Sequence, residues 1–412
     1  MTKPFLTDQF TSTVGGEVVS ASSNLLFSDG FTGSQEPDVW ETALISGGRV
    51  AYIPSSSSVQ LEVPATVGSQ VVRQTYICLP HYIGLSHALS CAFRLDRRTD
   101  GIRFRAGLFD GLDGFYLESV GEEMCLCVTS TTSGSQVVTR VPRSLWNIDR
   151  LDNRGPSTET LDITKTQTVR FNFNWYGAGS ITVEFLIEGD FKPVHSFTFG
   201  NRITDSWART PNLPLRYEVV NTGNTTTSGV CFQKGESLIV EGSTRTDGLE
   251  PRTASTTLSG LALTTPQQFY PLVSIRLLSG ELDGLARAAS LQVAALDTAG
   301  VGQNRLAVPL AYRLIKDPVG LTGSWQNVNT SGSFCQQNTN ASGVVTGGLL
   351  LAAGFTAGTN PTLVSLEPAF DFQLGRNNFG TTSQVITLAA AVTDPTITTA
   401  RGQGVLNWVE FR

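Results

Sequence analysis

The stretch TVRFNFNWY, residues 168–176, alternates apolar and polar side chains from one position to the next. The alternation resumes in SITVEFLIEG, residues 180–189, after the turn sequence Gly177-Ala178-Gly179. Because successive side chains of an extended chain point to opposite faces, a period of two predicts strands that bury one face. Two such runs around a glycine-rich turn predict a β-hairpin. The residues predicted to share its apolar face are Val169, Phe171, Phe173, Trp175, Ile181, Val183, Phe185 and Ile187.

Similar short runs recur along the chain, and 41 glycines and 18 prolines punctuate it. These runs are SVQLEVPA (58–65), GIRFRAGLF (101–109), GFYLESV (114–120), LPLRYEVV (213–220), PLVSIRLL (271–278) and VLNWVEF (405–411). Residues 279–296 have apolar side chains near helical spacing and predict a short helix, although a strand fits their SLQVAAL portion comparably well. Many short strands at this spacing predict an all-β fold, with two β-sandwich or jelly-roll-like domains and an extended N-terminal arm.

The composition changes along the chain and predicts three regions. Residues 1–30 are polar and rich in Ser and Thr, so they predict an extended N-terminal arm that forms no core by itself. Residues 31–248 hold most of the aromatic side chains and predict a jelly-roll-like β-sandwich domain. The polar segment 241–260 is typical of a domain linker, and residues 249–412 predict a second β-rich domain with few aromatics.

The charge and cysteine content exclude several classes of function. The chain has 35 acidic and 29 basic residues, a net charge of −6, and only 16% charged residues. No cluster of Lys and Arg stands out, so we expect no direct binding of nucleic acid. The N-terminus lacks the apolar core of a signal peptide and no apolar run is long enough for a membrane helix, so we expect synthesis in a cytosol and no membrane association. The six cysteines form no CxxC pair and are interpreted as buried free thiols, with Cys125 and Cys127 on one face of a strand.

The stretch LFDGLDGFYLE, residues 108–118, places two aspartates between predicted strands and a glutamate five residues further on. Asp110 and Asp113 could be a catalytic pair, ligands of a calcium ion or parts of a hairpin turn. The flanking strands and the Asp/Gly content favour the turn, because these residues tolerate left-handed backbone angles. A loose calcium site at Asp110 and Asp113 stays open as an alternative.

Histidine and aromatic residues offer no further chemistry that the sequence can identify. His81, His87 and His195 form no HExxH pair, and no GxSxG sequence marks a nucleophilic serine. Exposed aromatic rings could stack on sugars, with Trp146 and Trp207 in loop-like sequence, but packing is the favoured role for each candidate. The aromatic candidates are Trp40, Trp146, Trp175, Tyr176, Trp207, Trp325 and Trp408. The sequence therefore singles out no catalytic, cofactor-binding or metal-binding residue, and no cofactor.

Four segments in this order resemble a β-rich virion structural protein of tailed bacteriophages, found particularly in marine phages. These segments are residues 71–87, 105–118, 144–185 and 212–223, and the similarity covers about residues 45–280. The resemblance implies a component of the virion, assembled in the host cytoplasm, as a capsid decoration, head fibre, tail or baseplate protein. It implies partners among the capsid or tail proteins and a homo-oligomer, with a trimer favoured. It supplies no catalytic residue.

These observations lead to three hypotheses of function. The leading one is a non-enzymatic structural component of a bacteriophage virion that docks through its β-sandwich surfaces and its N-terminal arm. The alternative is a module of the phage tail or fibre that recognises a host-surface glycan. A glycan depolymerase that uses Asp110 and Asp113 is the third.

Overall fold

A computed structural model of the chain describes residues 23–223, 225–242, 250–278, 285–297, 308–328, 332–356, 362–366, 372–377, 382–398 and 400–411. The chain divides into two compact units, unit 1 at Met1–Arg245 and unit 2 at Thr246–Arg412. The predicted boundary at residue 248 lies outside the described residues, as do residues 1–22 of the predicted arm. No helix in the described part of the chain is long and apolar enough to cross a membrane.

Unit 1 consists of strands and two short 3-10 turns, at Pro54–Ser56 and Arg143–Leu145. Its strands are β1 (Ser23–Asp29), β2 (Trp40–Ile45), β3 (Arg49–Ile53), β4 (Ser58–Val63), β5 (Gln70–Thr75), β6 (His87–Leu95), β7 (Ile102–Phe109), β8 (Gly114–Val120), β9 (Glu123–Ser130), β10 (Val137–Pro142), β11 (Gln167–Phe173), β12 (Ser180–Ile187), β13 (Asp190–Thr198), β14 (Leu215–Asn221) and β15 (Gly229–Glu241).

Two antiparallel sheets form unit 1. The eight-stranded sheet has the order β13-β12-β11-β6-β15-β4-β3, with β1 beside β15, so the last part of the predicted arm is an added strand. The seven-stranded sheet has the order β10-β9-β8-β7-β14-β5-β2. The predicted hairpin is confirmed, since Val169 of β11 pairs with Phe185 of β12. Its predicted apolar face is shorter than expected, because Trp175 lies beyond the end of β11 and both Trp175 and Ile187 are only half-buried.

Aromatic side chains from the two sheets meet in the core of unit 1. Phe93 of β6 lies 4.9 Å from Phe104 of β7, and Phe171 of β11 lies 5.2 Å from Phe115 of β8, between ring centroids. All four rings are at most 2% exposed. The alternation that predicted the strands therefore seals one sheet against the other, as in a β-sandwich.

Unit 2 is built from shorter and less regular strands. These are β16 (Glu250–Ser255), β17 (Leu261–Leu263), β18 (Tyr270–Leu277), β19 (Leu285–Asp297), β20 (Leu310–Lys316), β21 (Gln326–Asn327), β22 (Cys335–Asn338), β23 (Leu349–Thr356), β24 (Thr362–Ser365), β25 (Arg376–Asn377), β26 (Thr382–Ser383), β27 (Val385–Val392) and β28 (Ala400–Phe411). They form a sheet β16-β28-β19-β24 with β17 beside β28, a sheet β21-β22-β18-β27-β20-β23 and the pair β25-β26.

One core of mainly aliphatic side chains joins the two larger sheets of unit 2, with Leu291, Leu406 and Leu388 all fully buried. The helix predicted within residues 279–296 is wrong, because Leu285–Asp297 is strand β19 and residues 279–284 lie outside the described part. Pairing of β19 with β28 along twelve residues outweighs the weak helical spacing. The described residues contain no α-helix, and the predicted all-β sandwich fold is confirmed.

Candidate functional site

Charged side chains line the face of the seven-stranded sheet that points away from the core. Phe104, Ala106 and Leu108 of β7 are buried in the core, so Arg103 and Arg105 project from the opposite face. Arg105 pairs in register with Glu118 of β8 on one side and with Glu218 of β14 on the other. We call this surface the arginine face. Its members are Arg103, Arg105, Glu118, Arg140, Arg216 and Glu218.

Glu118 is held by two arginines from different strands. Its Oε2 accepts a hydrogen bond from Arg105 Nε at 2.8 Å, and its Oε1 accepts one from Arg140 Nε at 2.7 Å. Arg140 also reaches Glu123 on β9, with Nη1 and Oε2 2.8 Å apart. Since charge-assisted hydrogen bonds are about twice as strong as neutral ones, these contacts fix both guanidinium groups in place.

Glu218 is surrounded by three arginines. Arg103 Nη2 lies 3.0 Å from its Oε1, Arg216 Nη2 lies 2.9 Å from its Oε2, and Arg105 Nη1 lies 3.7 Å from its Oε1. Arg105 thus connects the two carboxylates into one network.

The carboxylates lie beneath and the arginines extend to solvent. The side chains of Glu118 and Glu218 are 5% exposed, whereas those of Arg140, Arg103 and Arg105 are 36%, 28% and 21% exposed. Each guanidinium carries five N–H donors, and the buried carboxylates use only part of them. The face therefore presents ordered hydrogen-bond donors to the solvent.

Two aromatic rings support the arginines from the same side of the sheet. Arg105 lies 4.7 Å from the ring centre of Tyr116, and Arg216 lies 5.3 Å from that of Phe109. Gly107 pairs in register with Tyr116 on one side and with Arg216 on the other, and a Cβ at this position would come within 2.7 Å of Tyr116 Cα and 2.9 Å of Tyr116 Cβ. Only glycine fits at this position.

The ionisation states suit binding of polar groups. Burial alone would raise the pKa of Glu118, but hydrogen bonds from Arg140 and Arg105 outweigh it, and the pKa lies below its ordinary value. Burial raises the pKa of Cys125 to about 11, and it also raises the pKa of Tyr116. At neutral pH Glu118 is therefore an anion that accepts hydrogen bonds, while Cys125 and Tyr116 keep their protons.

The turn at Asp110 and Asp113 is a hairpin between β7 and β8, which confirms the prediction. Asp110 Oδ1 accepts hydrogen bonds from the backbone N–H groups of Leu112 at 2.6 Å and Asp113 at 2.7 Å. Asp113 is fully buried, and its Oδ2 lies 2.6 Å from Arg209 Nε. Asp110 thus closes the turn, and Asp113 ties it to the segment that carries Arg209. Among the residues described, no three His, Cys, Asp or Glu side chains are grouped so that they could hold a metal ion.

The histidines are packed within unit 1. His81 and His87 stack with ring centroids 4.1 Å apart, and both lie on Phe173. Burial lowers the pKa of His81 to about 2 and the pKa of His87 to about 4, and burial also lowers the pKa of His195 to about 4. All three are neutral at physiological pH, in agreement with a structural role.

The tryptophans proposed for sugar stacking are mostly inside the molecule. Trp146 and Trp207, which the sequence places in loops, are 5% and 3% exposed, and Trp40 and Trp408 are buried as well. Tyr176 is 61% exposed, and Trp325 lies under the guanidinium of Arg276 at 4.3 Å. Five cysteines are buried, as predicted, whereas Cys78 is half-buried.

Comparisons with known proteins found similar solved structures of low sequence identity. No protein-family model and no curated protein matches the chain. Among solved structures, the chain is similar to an endo-β-1,4-glucuronan lyase from Trichoderma reesei, with 11% identity, 53% of this chain and 96% of that chain covered, and a TM-score of 0.36. A β-1,3-glucanase from Mycobacterium marinum has 14% identity and a TM-score of 0.35, with 52% of this chain and 98% of that chain covered. A glycosyl hydrolase family protein from Mycobacterium fortuitum has 13% identity and a TM-score of 0.33, with 52% of this chain and 99% of that chain covered.

This comparison corrects one prediction from the sequence. The chain was expected not to be an enzyme, and the similar structures include a lyase and a glucanase. The lack of a catalytic motif in the sequence is thus no ground for excluding catalysis.

Sequence reasoning did not single out the residues of the arginine face, although the signal was partly present. Arg103 and Arg105 occupy the polar positions of GIRFRAGLF, and Glu118 and Glu218 occupy polar positions of GFYLESV and LPLRYEVV. Alternation puts each on the outer face of its own strand. Strand β14 lies next to β7 because the chain crosses over between them. No local sequence pattern indicates this pairing.

Proposed function

We propose that unit 1 recognises a glycan through the arginine face. The observation that carries this proposal is the set of solvent-reaching guanidinium groups held by the buried carboxylates Glu118 and Glu218. Sugars offer many hydroxyl groups at fixed spacings, and planar Arg and Glu groups meet them with paired hydrogen bonds.

The rigidity of this face supports a binding role. A ligand loses less free energy on binding when the groups it contacts are already ordered. Here Arg105 is fixed by Glu118, by Glu218 and by the ring of Tyr116. Arg140 is fixed by Glu118 and Glu123. The donors are therefore in place before a ligand arrives.

Two unsatisfied polar atoms on the same face add to this argument. Gln74 Oε1 and Arg103 Nε are buried without a hydrogen-bond partner. Gln74 pairs in register with Arg216, so both atoms belong to the arginine face and its border. Each such atom costs about 1–3 kcal/mol, a cost that is commonly retained where function requires the polar group.

The experiment compares two matched arginines on opposite sheets. Arg140 of the arginine face is 36% exposed, and Arg170 of the eight-stranded sheet is 30% exposed and pairs with Glu184. The full chain is screened on a glycan array, and the affinity for the best ligand is measured for Arg140→Gln and Arg170→Gln. We expect Arg140→Gln to weaken binding about tenfold or more, since one charge-assisted hydrogen bond is worth about 1.5–3 kcal/mol. Arg170→Gln should leave the affinity unchanged.

Two outcomes count against the proposal. If no glycan binds, or if the two variants lose affinity equally, the arginine face is not a glycan site. Release of reducing ends from the bound glycan is followed in the same samples, so that cleavage is detected if it occurs.

The resemblance to virion proteins supports a proposal for the setting of this site. The motifs at residues 71–87, 105–118, 144–185 and 212–223 carry that resemblance. We propose that the chain is carried on a tailed-phage particle, docked on capsid or tail proteins as a homo-oligomer, where it meets host-surface glycans. Mass spectrometry of purified phage particles tests this proposal, and absence of the chain from the particles would refute it.

A further inference from the structure

A cavity of about 460 Å³ opens between two loops of unit 1, at one end of the seven-stranded sheet. It is lined by residues 97–100, which lead into β7, and by residues 225–227, which follow β14. Ligand sites are typically about 300–1,000 Å³ in volume. We call it the loop cavity. Arg103, the first arginine of the arginine face, lies five residues beyond Arg98.

The lining holds two arginines, one carboxylate and a row of hydroxyl groups. The charged residues of the lining are Arg97, Arg98 and Asp100, and three consecutive threonines complete the wall. Each arginine pairs with a carboxylate outside the lining, Arg97 Nη2 with Asp96 at 3.4 Å and Arg98 Nη1 with Glu122 at 2.9 Å. Glu122 is 80% exposed and Arg98 15% exposed, so an incoming anion can replace the Glu122 carboxylate at Arg98 at the small cost of one exposed ion pair.

A third arginine, Arg143, lies close enough to Arg98 for the two charges to repel each other. The pKa of Arg143 is lowered, first by burial and second by repulsion from Arg98, although Asp152 and Asp149 oppose the shift. A bound anion would relieve this repulsion.

Both loops are held in shape by hydrogen bonds. The backbone N–H of Thr222 donates to Gly101 O at 2.7 Å and its Oγ1 donates to the same oxygen at 3.1 Å. In the second loop Thr225 Oγ1 donates to Thr227 O at 3.2 Å. Thr99 Oγ1 is buried without a hydrogen-bond partner, so the lining also holds an unsatisfied hydroxyl group.

We infer that the loop cavity binds the anionic group of an acidic sugar, a carboxylate or a sulfate ester, through Arg97, Arg98 and the threonines. Arg forms bidentate pairs with planar and tetrahedral oxyanions, and Thr hydroxyl groups donate to the remaining oxygens. This inference rests on the proposed function in that the arginine face would hold the rest of the same glycan. It adds a substrate class, acidic over neutral glycans.

The first test does not depend on glycan binding at the arginine face. Sodium glucuronate and inorganic sulfate are titrated separately into the isotope-labelled full chain, and the amide signals of Thr225, Thr226 and Thr227 are followed. We expect both probes to shift these signals in the native chain and neither to shift them in Arg98→Gln. Unmoved threonine signals with both probes would overturn the inference, whatever the arginine face binds. A shift with one probe alone identifies the anion as carboxylate or as sulfate.

The second test measures selectivity with alginate, dextran sulfate and neutral dextran. Arg98→Gln should lower the affinity for the preferred acidic polymer about tenfold and leave that for dextran unchanged, and the effect should shrink at high salt. Arg202→Gln, at an exposed arginine of another loop, is the control. Binding that falls with Arg140→Gln but not with Arg98→Gln would keep the proposed function and reject the loop cavity as its anionic subsite.

Discussion

The two sheets of unit 1 are built on the same alternation, yet their outer faces differ in kind. The eight-stranded sheet exposes single polar side chains such as Ser90 and Asn172, and an ion pair between Arg170 and Glu184. The arginine face joins its arginines and glutamates into one network over carboxylates that are almost fully buried. Solubility requires only the first arrangement. Burying carboxylates beneath arginines costs desolvation, so the second arrangement points to a function of that face.

The largest expected effect is on stability. It is measured by replacing one glutamate of each sheet with glutamine and comparing the two losses. Glu218→Gln removes the charge that faces Arg103, Arg105 and Arg216, and we expect it to lower the free energy of unfolding by about 2–3 kcal/mol. Glu184→Gln on the other sheet breaks a single pair with a more exposed arginine and should cost less than about 1 kcal/mol. Urea denaturation measures both, with hydrogen exchange in β7 and β14 to localise the loss. Equal losses would mean that the network is an ordinary set of surface pairs.

A backbone contact specific to the arginine face provides the next comparison. Gly107→Ala places a methyl group against Tyr116 and should lower the free energy of unfolding by about 1–3 kcal/mol, as overpacking does. It should also weaken glycan binding, because Tyr116 supports Arg105. Gly33→Ala, where nothing lies within 4 Å of the added carbon, should change stability by less than about 0.5 kcal/mol. A Gly107→Ala variant that is as stable as the native chain would show that β7 and β8 can move apart to accommodate the methyl group.

These two predictions mark what the sequence could and could not reveal. Period-two patterns in residues 168–189 identified strands, the hairpin and the buried face, because these depend on neighbours along the chain. The arginine face depends on β14 lying beside β7, and residues 108 and 215 that pair there are far apart in sequence. The helix expected within residues 279–296 was wrong for the same reason, since pairing with β28 decides that segment.

The two sheets should lose their contributions to stability at different pH values on acidification. His87 lies on β6 of the eight-stranded sheet, and its pKa of about 4 in the folded state is below the ordinary value of 6.5, as is the pKa of His81. Their neutral forms favour folding, so this stability is complete above pH 6.5 and is lost as the pH falls towards 4. The pKa of Glu118 is also lowered, but from 4.5, so the arginine face should lose its contribution only at lower pH.

The variant His81→Phe tests that order. Phenylalanine keeps the stack with His87 and Phe173 and removes one group that must be protonated on unfolding in acid. At pH 5 we expect the variant to be more stable than the native chain by about 1–2 kcal/mol, and at pH 8 the advantage should shrink. Thermal unfolding across this range measures the gap. A gap that does not change with pH would mean that His81 takes up its proton without opening the fold.

The smallest expected effect concerns the turn between β7 and β8, beside the arginine face. Asparagine at position 110 keeps an oxygen that accepts the backbone N–H groups of Leu112 and Asp113, so Asp110→Asn should change stability by less than about 0.5 kcal/mol. Glycan binding, and any glycan cleavage that is detected, should continue at the native level. Asp113→Asn weakens the buried pair with Arg209 and should cost more stability, again without a specific effect on binding. If Asp110 only closes the hairpin, its replacement cannot affect a reaction. Loss of cleavage in a folded Asp110→Asn variant would therefore place the functional site at the turn and not on the sheet.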